Sequence, residues 1–396
     1  MRKFRKTLLR KKRKNESLLK YIMAMLHLWM GLISSLVIMT VCISGCLYAF
    51  KNQISDWVNR DKVFVSTPLV SAKNPDAIAA DLKKQGKELT ALMVPESASR
   101  SYVISYRKSG LEYSSFYNPY SGSELGMANV SMDHFFEMVL DLHRNLMMGK
   151  AGRQINGAAV LMFCLLLLSG FVLWIPKKWK HLKQSLTIKG GAKFHRLIYD
   201  LHNTLGFYTM VMLLFMAVTG LYITYPWVKN LMIVSLGGES ISQISTASEE
   251  DNNAFGNLME DMLARQKEKK NGSDVVSLSE IFRKANQALP YHGTTTVEFP
   301  NKENPRFTVT KINTQNFLGA MLPDEITFDR QGNLKSKDLF SDKTLDKQFT
   351  SLSKPLHTGE ILGVRSIVFY FFICLIGFSL PVTGFLIWWH KFSKVR

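Results

Sequence analysis

The sequence predicts a membrane protein: four transmembrane α-helices in two tandem repeats, with two α+β modules outside the cytoplasm. Three observations carry this. Four stretches stay apolar long enough to cross a ~30 Å hydrocarbon core. The net charge of +19 is confined to segments flanking them. The apolar stretches also repeat one another at a few chemically distinct positions.

The spans are expected at 21–50, 153–176, 201–228 and 364–390. They leave a basic tail at 1–20, a first module at 51–152, a loop at 177–200, a second module at 229–363 and a short tail at 391–396. Residues 1–20 carry ten Lys/Arg against Glu16, residues 176–196 carry seven with no acid, and residues 391–396 carry three, which together equal the whole net charge. Cytoplasmic segments carry the Lys/Arg excess, so both termini and the 177–200 loop are expected in the cytoplasm and both modules outside it. The basic runs abut membrane spans, where anionic headgroups explain them, and no nucleic-acid partner is expected. Ile43-Ser44-Gly45-Cys46 resembles a lipoprotein cleavage box. The apolar run is nevertheless longer than a signal h-region and duplicates an internal span, so a permanent helix is expected.

The repeat is written in histidine and glycine. His27, Gly31 and Gly45 of the first span match His202, Gly206 and Gly220 of the third. Eighteen residues make five helical turns, which puts His27 and Gly45 on one stripe and His202 and Gly220 on another, with Gly31 and Gly206 about 40° away. A second pattern runs from His143 through Gly149 to Gly170, and again from His357 through Gly363 to Gly384. All four of these histidines follow leucine, and none of the other five does.

An imidazole within a span needs a partner in hydrocarbon, and a helix-packing hydrogen bond is the bland explanation for any single one. Four at repeat-related places, two near each face, point instead to a bound group. Haem iron takes two axial ligands and its flat ring needs a slot, which paired imidazoles with Gly31, Gly45, Gly206 and Gly220 would supply. Zinc and iron–sulfur sites want cysteine clusters, whereas Cys42, Cys46, Cys164 and Cys374 all lie in spans without CxxC spacing. There is no CxxCH, so two non-covalent b-type haems are expected. Repeat symmetry pairs His27 with His202 on the cytoplasmic side and His143 with His357 on the outer side. His195 and His390 are alternative inner ligands or interfacial side chains. Arg144, Lys150, Arg153 and Arg365 stand near the outer histidines as candidate propionate partners or headgroup anchors. No GxGxxG with a following acid is present, so the electron donor must be a separate cytoplasmic partner.

The modules read as a helix over 74–85, strands at 101–107 and 111–118, and a turn at 118–122. The second repeats this with a helix at 277–289, strands in TTTVEF, RFTVTKI and EITFDRQGNL, and a polar, mobile insertion at 238–275. These endings, FYNPYSGSEL and ITFDRQGNLK, resemble PepSY modules. Together with the Leu-His spans, the chain is similar over nearly its whole length to the PepSY-associated transmembrane family of bacterial inner-membrane proteins. Asp329-Arg330-Gln331-Gly332 departs from the proline-tyrosine turn of that pattern. The resemblance implies an oxidoreductase of the dihaem ferric-siderophore reductase type, passing electrons from a cytoplasmic donor to a periplasmic ferric siderophore or chelate. A cytochrome-b-like conduit feeding another periplasmic reductase and a non-redox scaffold acting on peptidases or wall enzymes are the alternatives.

Overall fold

The computed structural model describes residue 12 and residues 16–66, 71–240, 276–301, 304–316 and 319–393. In chain order it contains α1 (Leu18–Ala49), α2 (Pro75–Lys84), β1 (Glu88–Val94), β2 (Tyr102–Lys108), β3 (Leu111–Asn118), β4 (Ser123–Gly126), α3 (Val130–Asn145), α4 (Gly149–Trp174) and α5 (Phe194–Thr224). There follow α6 (Leu278–Ala288), β5 (Thr295–Glu298), β6 (Phe307–Asn313), β7 (Leu322–Phe328), β8 (Leu334–Asp338), α7 (Leu345–Thr358) and α8 (Val364–Ser393). Two compact units result. One comprises Met1–Lys51, His134–Val228 and Ser353–Arg396, the other Asn52–Asp133 and Lys229–Leu352.

The first unit is a bundle of α1, α4, α5 and α8, each long and apolar enough to cross a membrane. Around it α1 touches α4 and α8, and α5 touches the same two. Its interior is closed by Ile38, Ala159, Phe163, Leu167, Leu213, Ala217, Ile373 and Leu380. The outside is as apolar as the inside: Leu36 is 75% exposed, Val211 66% and Phe372 57%. Such a surface is stable in lipid and would aggregate in water. Buried hydroxyls are satisfied within their own helices, as in Ser34 to Met30 O (2.7 Å) and Thr209 to Leu205 O (2.8 Å). The chain is a multi-pass membrane protein.

The second unit is one eight-stranded antiparallel sheet in the order β4-β3-β2-β1-β5-β6-β7-β8. The two modules expected from the sequence are thus fused, because β1 pairs with β5 through Leu92↔Val297 and its neighbours. β1 was not among the strands read from the sequence. Helices α2 and α6 bury Ile78, Leu82, Ile281 and Ala285 on one sheet face against Leu92, Ile104, Val297, Val309 and Ile326. Each helix has its own cap, Asn74 Oδ1 accepting from Asp76 N (2.9 Å) and Ser277 Oγ from Glu280 N (3.2 Å). Asp76 then accepts from Leu278 N (2.6 Å), so a carboxylate of the first helix holds the start of the second. Inside the later half, buried Lys311 donates to Asn286 Oδ1 (2.8 Å) and Leu289 O (2.9 Å), and burial pulls its ammonium below the usual lysine range.

Two sequence expectations need correction. Three spans begin earlier than expected, at Leu18, Gly149 and Phe194, while the fourth opens at Val364 as expected. His143 and His357, which the expected bounds put in the soluble modules, stand on the separate short helices α3 and α7. Those helices pack with the bundle from His134 and Ser353 onward, so the soluble unit is smaller than 51–152 plus 229–363. The polar insertion at 238–275 lies, from residue 241 on, outside the described residues.

Candidate cofactor site

Four imidazoles enter the bundle, two on long helices and two on short ones. His27 lies in the third turn of α1 and His202 in the third turn of α5. His143 ends the stripe Phe136, Val139, His143 of α3, spaced three and four residues apart, so one face carries all three inward. The turn after it is sharp: Leu146 and Met147 have φ of 52° and 56°, in the sparsely populated left-handed region. Asn156 of α4 reaches back to cap this end, donating to His143 O (2.8 Å) and Arg144 O (3.1 Å). His357 occupies the last turn of α7, where Ser366 Oγ donates to Gly359 O at 2.5 Å and ties that turn to α8.

Each ring rests on a Ser-Gly or Thr-Gly step of a neighbouring long helix. His27 lies over Ser169-Gly170 of α4, where a Cβ on Gly170 would be 3.2 Å from His27 Cε1. His143 lies over Ser44-Gly45 of α1, His202 over Thr383-Gly384 of α8 and His357 over Thr219-Gly220 of α5, the corresponding distances being 3.1, 3.3 and 2.9 Å. Every Nδ1 is hydrogen-bonded there. His27 Nδ1 lies 3.1 Å from Leu166 O and 3.0 Å from Ser169 Oγ. For His143 the partners are Val41 O (3.0 Å) and Ser44 Oγ (3.2 Å), for His357 Met216 O (3.0 Å) and Thr219 Oγ1 (3.1 Å). His202 Nδ1 is 2.9 Å from Thr383 Oγ1.

The rings meet in pairs across the two halves of the chain. His27 and His202 have centroids 6.2 Å apart, His143 and His357 6.1 Å. These are the pairs that repeat symmetry puts together. One metal atom fits between two such rings, given about 2 Å for each metal–nitrogen bond and roughly 1 Å from nitrogen to ring centre. Along α1, the eighteen residues from His27 to the Gly45 seat separate the two pairs by ~27 Å.

A cavity of about 410 Å³ opens at the His143–His357 pair. Its walls include Val160, Phe163, Met216, Leu221 and Tyr370, with Arg144 and Lys354 as cations. Lys354 is a lining residue that sequence reading missed, its signal being one turn's distance from His357. Arg153 is engaged elsewhere, donating to Thr224 O and stacking over the Tyr225 ring. Lys150 and Arg365 are exposed in the first turns of α4 and α8. Of the glycines expected to form a slot, Gly45 and Gly220 seat rings, while Gly31 and Gly206 meet only Leu166 and Leu380 at 3.6 Å. The missing seats, Gly170 and Gly384, were visible in the twenty-seven-residue spacing. His195 and His390 stack with centroids 3.1 Å apart, which leaves no room for an atom between them.

The residues fit a haem better than a bare ion. No group of three or more His, Cys, Asp or Glu able to hold a metal occurs among the described residues. A macrocycle that brings four nitrogens of its own asks the protein for only the two that each pair offers.

Fold and site thus define a class: a four-helix membrane protein with two half-buried histidine pairs and an antiparallel sheet unit. The description of the PepSY-associated TM region matches residues 24–391, and the chain belongs to that family. No curated protein matches the chain.

Proposed function

We propose that this chain is an inner-membrane reductase of two b-type haems, in which His27 and His202 would hold one group and His143 and His357 the other. The observation that carries this is the pairing itself: four imidazoles on four different helices meet two by two at spacings that admit one metal atom each. The matching order of helices and strands in the two halves supports an internal duplication, which explains why each pair takes one histidine from each half. Bound haem supplies one-electron chemistry between ferrous and ferric iron. The chain's own residues hold the ring nitrogens, keep water out with the apolar walls, and in Arg144 and Lys354 offer cations to the carboxylate edge of the outer group.

The charge distribution supports an orientation with the termini and the His27–His202 pair toward the cytoplasm and the His143–His357 pair toward the outside. Electrons then enter from a cytoplasmic donor and leave at the outer pair. The acceptor is a ferric siderophore or related ferric chelate, which takes one electron and releases Fe(II) from a weaker complex. A reduced-minus-oxidised spectrum of the purified protein is expected to show sharp haem bands; their absence ends both this reading and the conduit reading and leaves the scaffold. In sealed proteoliposomes with the sheet unit outward, a ferric hydroxamate that cannot cross the bilayer should reoxidise the reduced protein. If no ferric chelate does so, the siderophore assignment fails and the conduit stands.

A further inference from the structure

The four Ser/Thr-Gly steps do more than make room. In each, the hydroxyl proton is already spent on a carbonyl of its own helix: Ser44 Oγ on Thr40 O (2.6 Å), Ser169 Oγ on Leu166 O (3.1 Å), Thr219 Oγ1 on Phe215 O (2.9 Å) and Thr383 Oγ1 on Ser379 O (3.0 Å). The oxygen facing the imidazole can therefore only accept. The second partner of Nδ1 is the carbonyl three residues before the hydroxyl, Leu166, Val41 or Met216 for three of the rings, and a carbonyl can only accept as well. A ring between two acceptors must carry its proton on Nδ1, which holds for His27, His143 and His357; for His202 the single partner Thr383 Oγ1, its own proton on Ser379 O, asks the same. Nε2 is left with the lone pair, and it has no hydrogen-bond partner among the described residues.

We infer that Ser44, Ser169, Thr219 and Thr383 are positioning residues that fix the tautomer of the four histidines and set the electron donation of each Nε2 to the group it holds. The inference rests on the haem reading above and adds a division of labour to it. Every seat belongs to the same half as the histidine it holds, whereas the two rings of a pair come from different halves. Each half thus presents two oriented ligands before the pairs are completed. An acceptor on Nδ1–H raises ligand basicity and favours the ferric state, and loss of such an outer partner typically weakens a metal site 10–100-fold.

The test uses Thr219→Val, which keeps the shape and removes the acceptor, with Thr219→Ser as the restoring variant. In the full-length protein, redox titration should show the valine variant with one midpoint raised by up to about 59 mV, the one-electron equivalent of a tenfold change in relative affinity for the two oxidation states. The other midpoint should stay in place, and serine should return the first. Thr383→Val should shift the other component only. Midpoints unchanged by both valine variants overturn the inference while leaving the haem assignment intact. A protein without haem bands overturns the haem assignment; ¹⁵N-histidine NMR of that protein then still decides the seats, which require the Nδ1–H form for all four rings and, since Met216 O still accepts, a shifted Nδ1 resonance without change of tautomer at His357 in Thr219→Val. A mixture of tautomers at these rings in the unaltered protein refutes them.

Discussion

Adding one methyl group to each helix glycine should separate the seats from ordinary packing. Alanine in place of glycine favours a helix by up to about 1 kcal/mol. At Gly206 the new Cβ would be 3.6 Å from Leu380 Cδ2, an ordinary contact, so Gly206→Ala should be neutral or stabilising. At Gly220 it would be 2.9 Å from His357 Cε1, closer than real Cβ contacts come, and the ring cannot retreat while Nδ1 is held by Met216 O and Thr219 Oγ1. Overpacking a filled interior costs roughly 1–3 kcal/mol. Gly220→Ala should therefore be less stable than Gly206→Ala by about that amount and should displace His357. Gly45, Gly170 and Gly384, at 3.1, 3.2 and 3.3 Å, should follow in decreasing order of damage. Thermal unfolding in detergent reads stability, and the spectrum of the reduced protein reads which site is disturbed. If Gly220→Ala matches Gly206→Ala in both, the glycines are not seats and the packing argument is wrong.

His143→Ala and His357→Ala should each remove or perturb the same haem component, and His27→Ala and His202→Ala the other. His195→Ala and His390→Ala should spare both; loss of the inner component in either, with His202→Ala harmless, would reverse that assignment. A reporter fused after Arg396 should behave as cytoplasmic and one inserted in 238–275 as extracytoplasmic, and the opposite pattern would invert the direction of electron flow. In the sheet unit, burial works against ionising Glu124, but the Lys87 ammonium and the Tyr106 hydroxyl, both donating to it, outweigh that and hold the carboxyl below its ordinary range. A depressed carboxylate contributes stability above the unfolded value near 4.3 and loses it as pH falls through the folded one. Thermal unfolding of the sheet unit, followed by circular dichroism, should thus weaken on acidification, and Glu124→Gln should reduce that pH dependence.

What could be read in the chain and what could not follows from the range of each interaction. Span length is a one-dimensional property, and so is an eighteen-residue return of histidine to glycine, which is why the four spans and both histidine pairs were legible. The partner of each glycine was not: His27 answers to Gly170 on α4, not to Gly45 on its own helix, because Gly45 receives the ring of His143. A stripe on one helix states which face is small without stating whose side chain fills it. The same limit hid the fusion of the modules. Each half has a local order of helix and strands, yet the pairing of β1 with β5 joins residues some two hundred positions apart, and alternation within TTVE or ELTALMV carries no mark of the neighbour. The bounds put His143 and His357 in the soluble modules for a related reason. The stripe Phe136, Val139, His143 has helical spacing but too many polar residues between for a span, so it belongs to a short amphipathic helix with one face on the bundle. Placing His143 and His357 on such helices has a consequence the spans alone do not. Their backbone ends are tied to the long helices, Asn156 of α4 donating to His143 O and Ser366 of α8 to Gly359 O, so the position of each of these two rings depends on a short helix as well as on its seat.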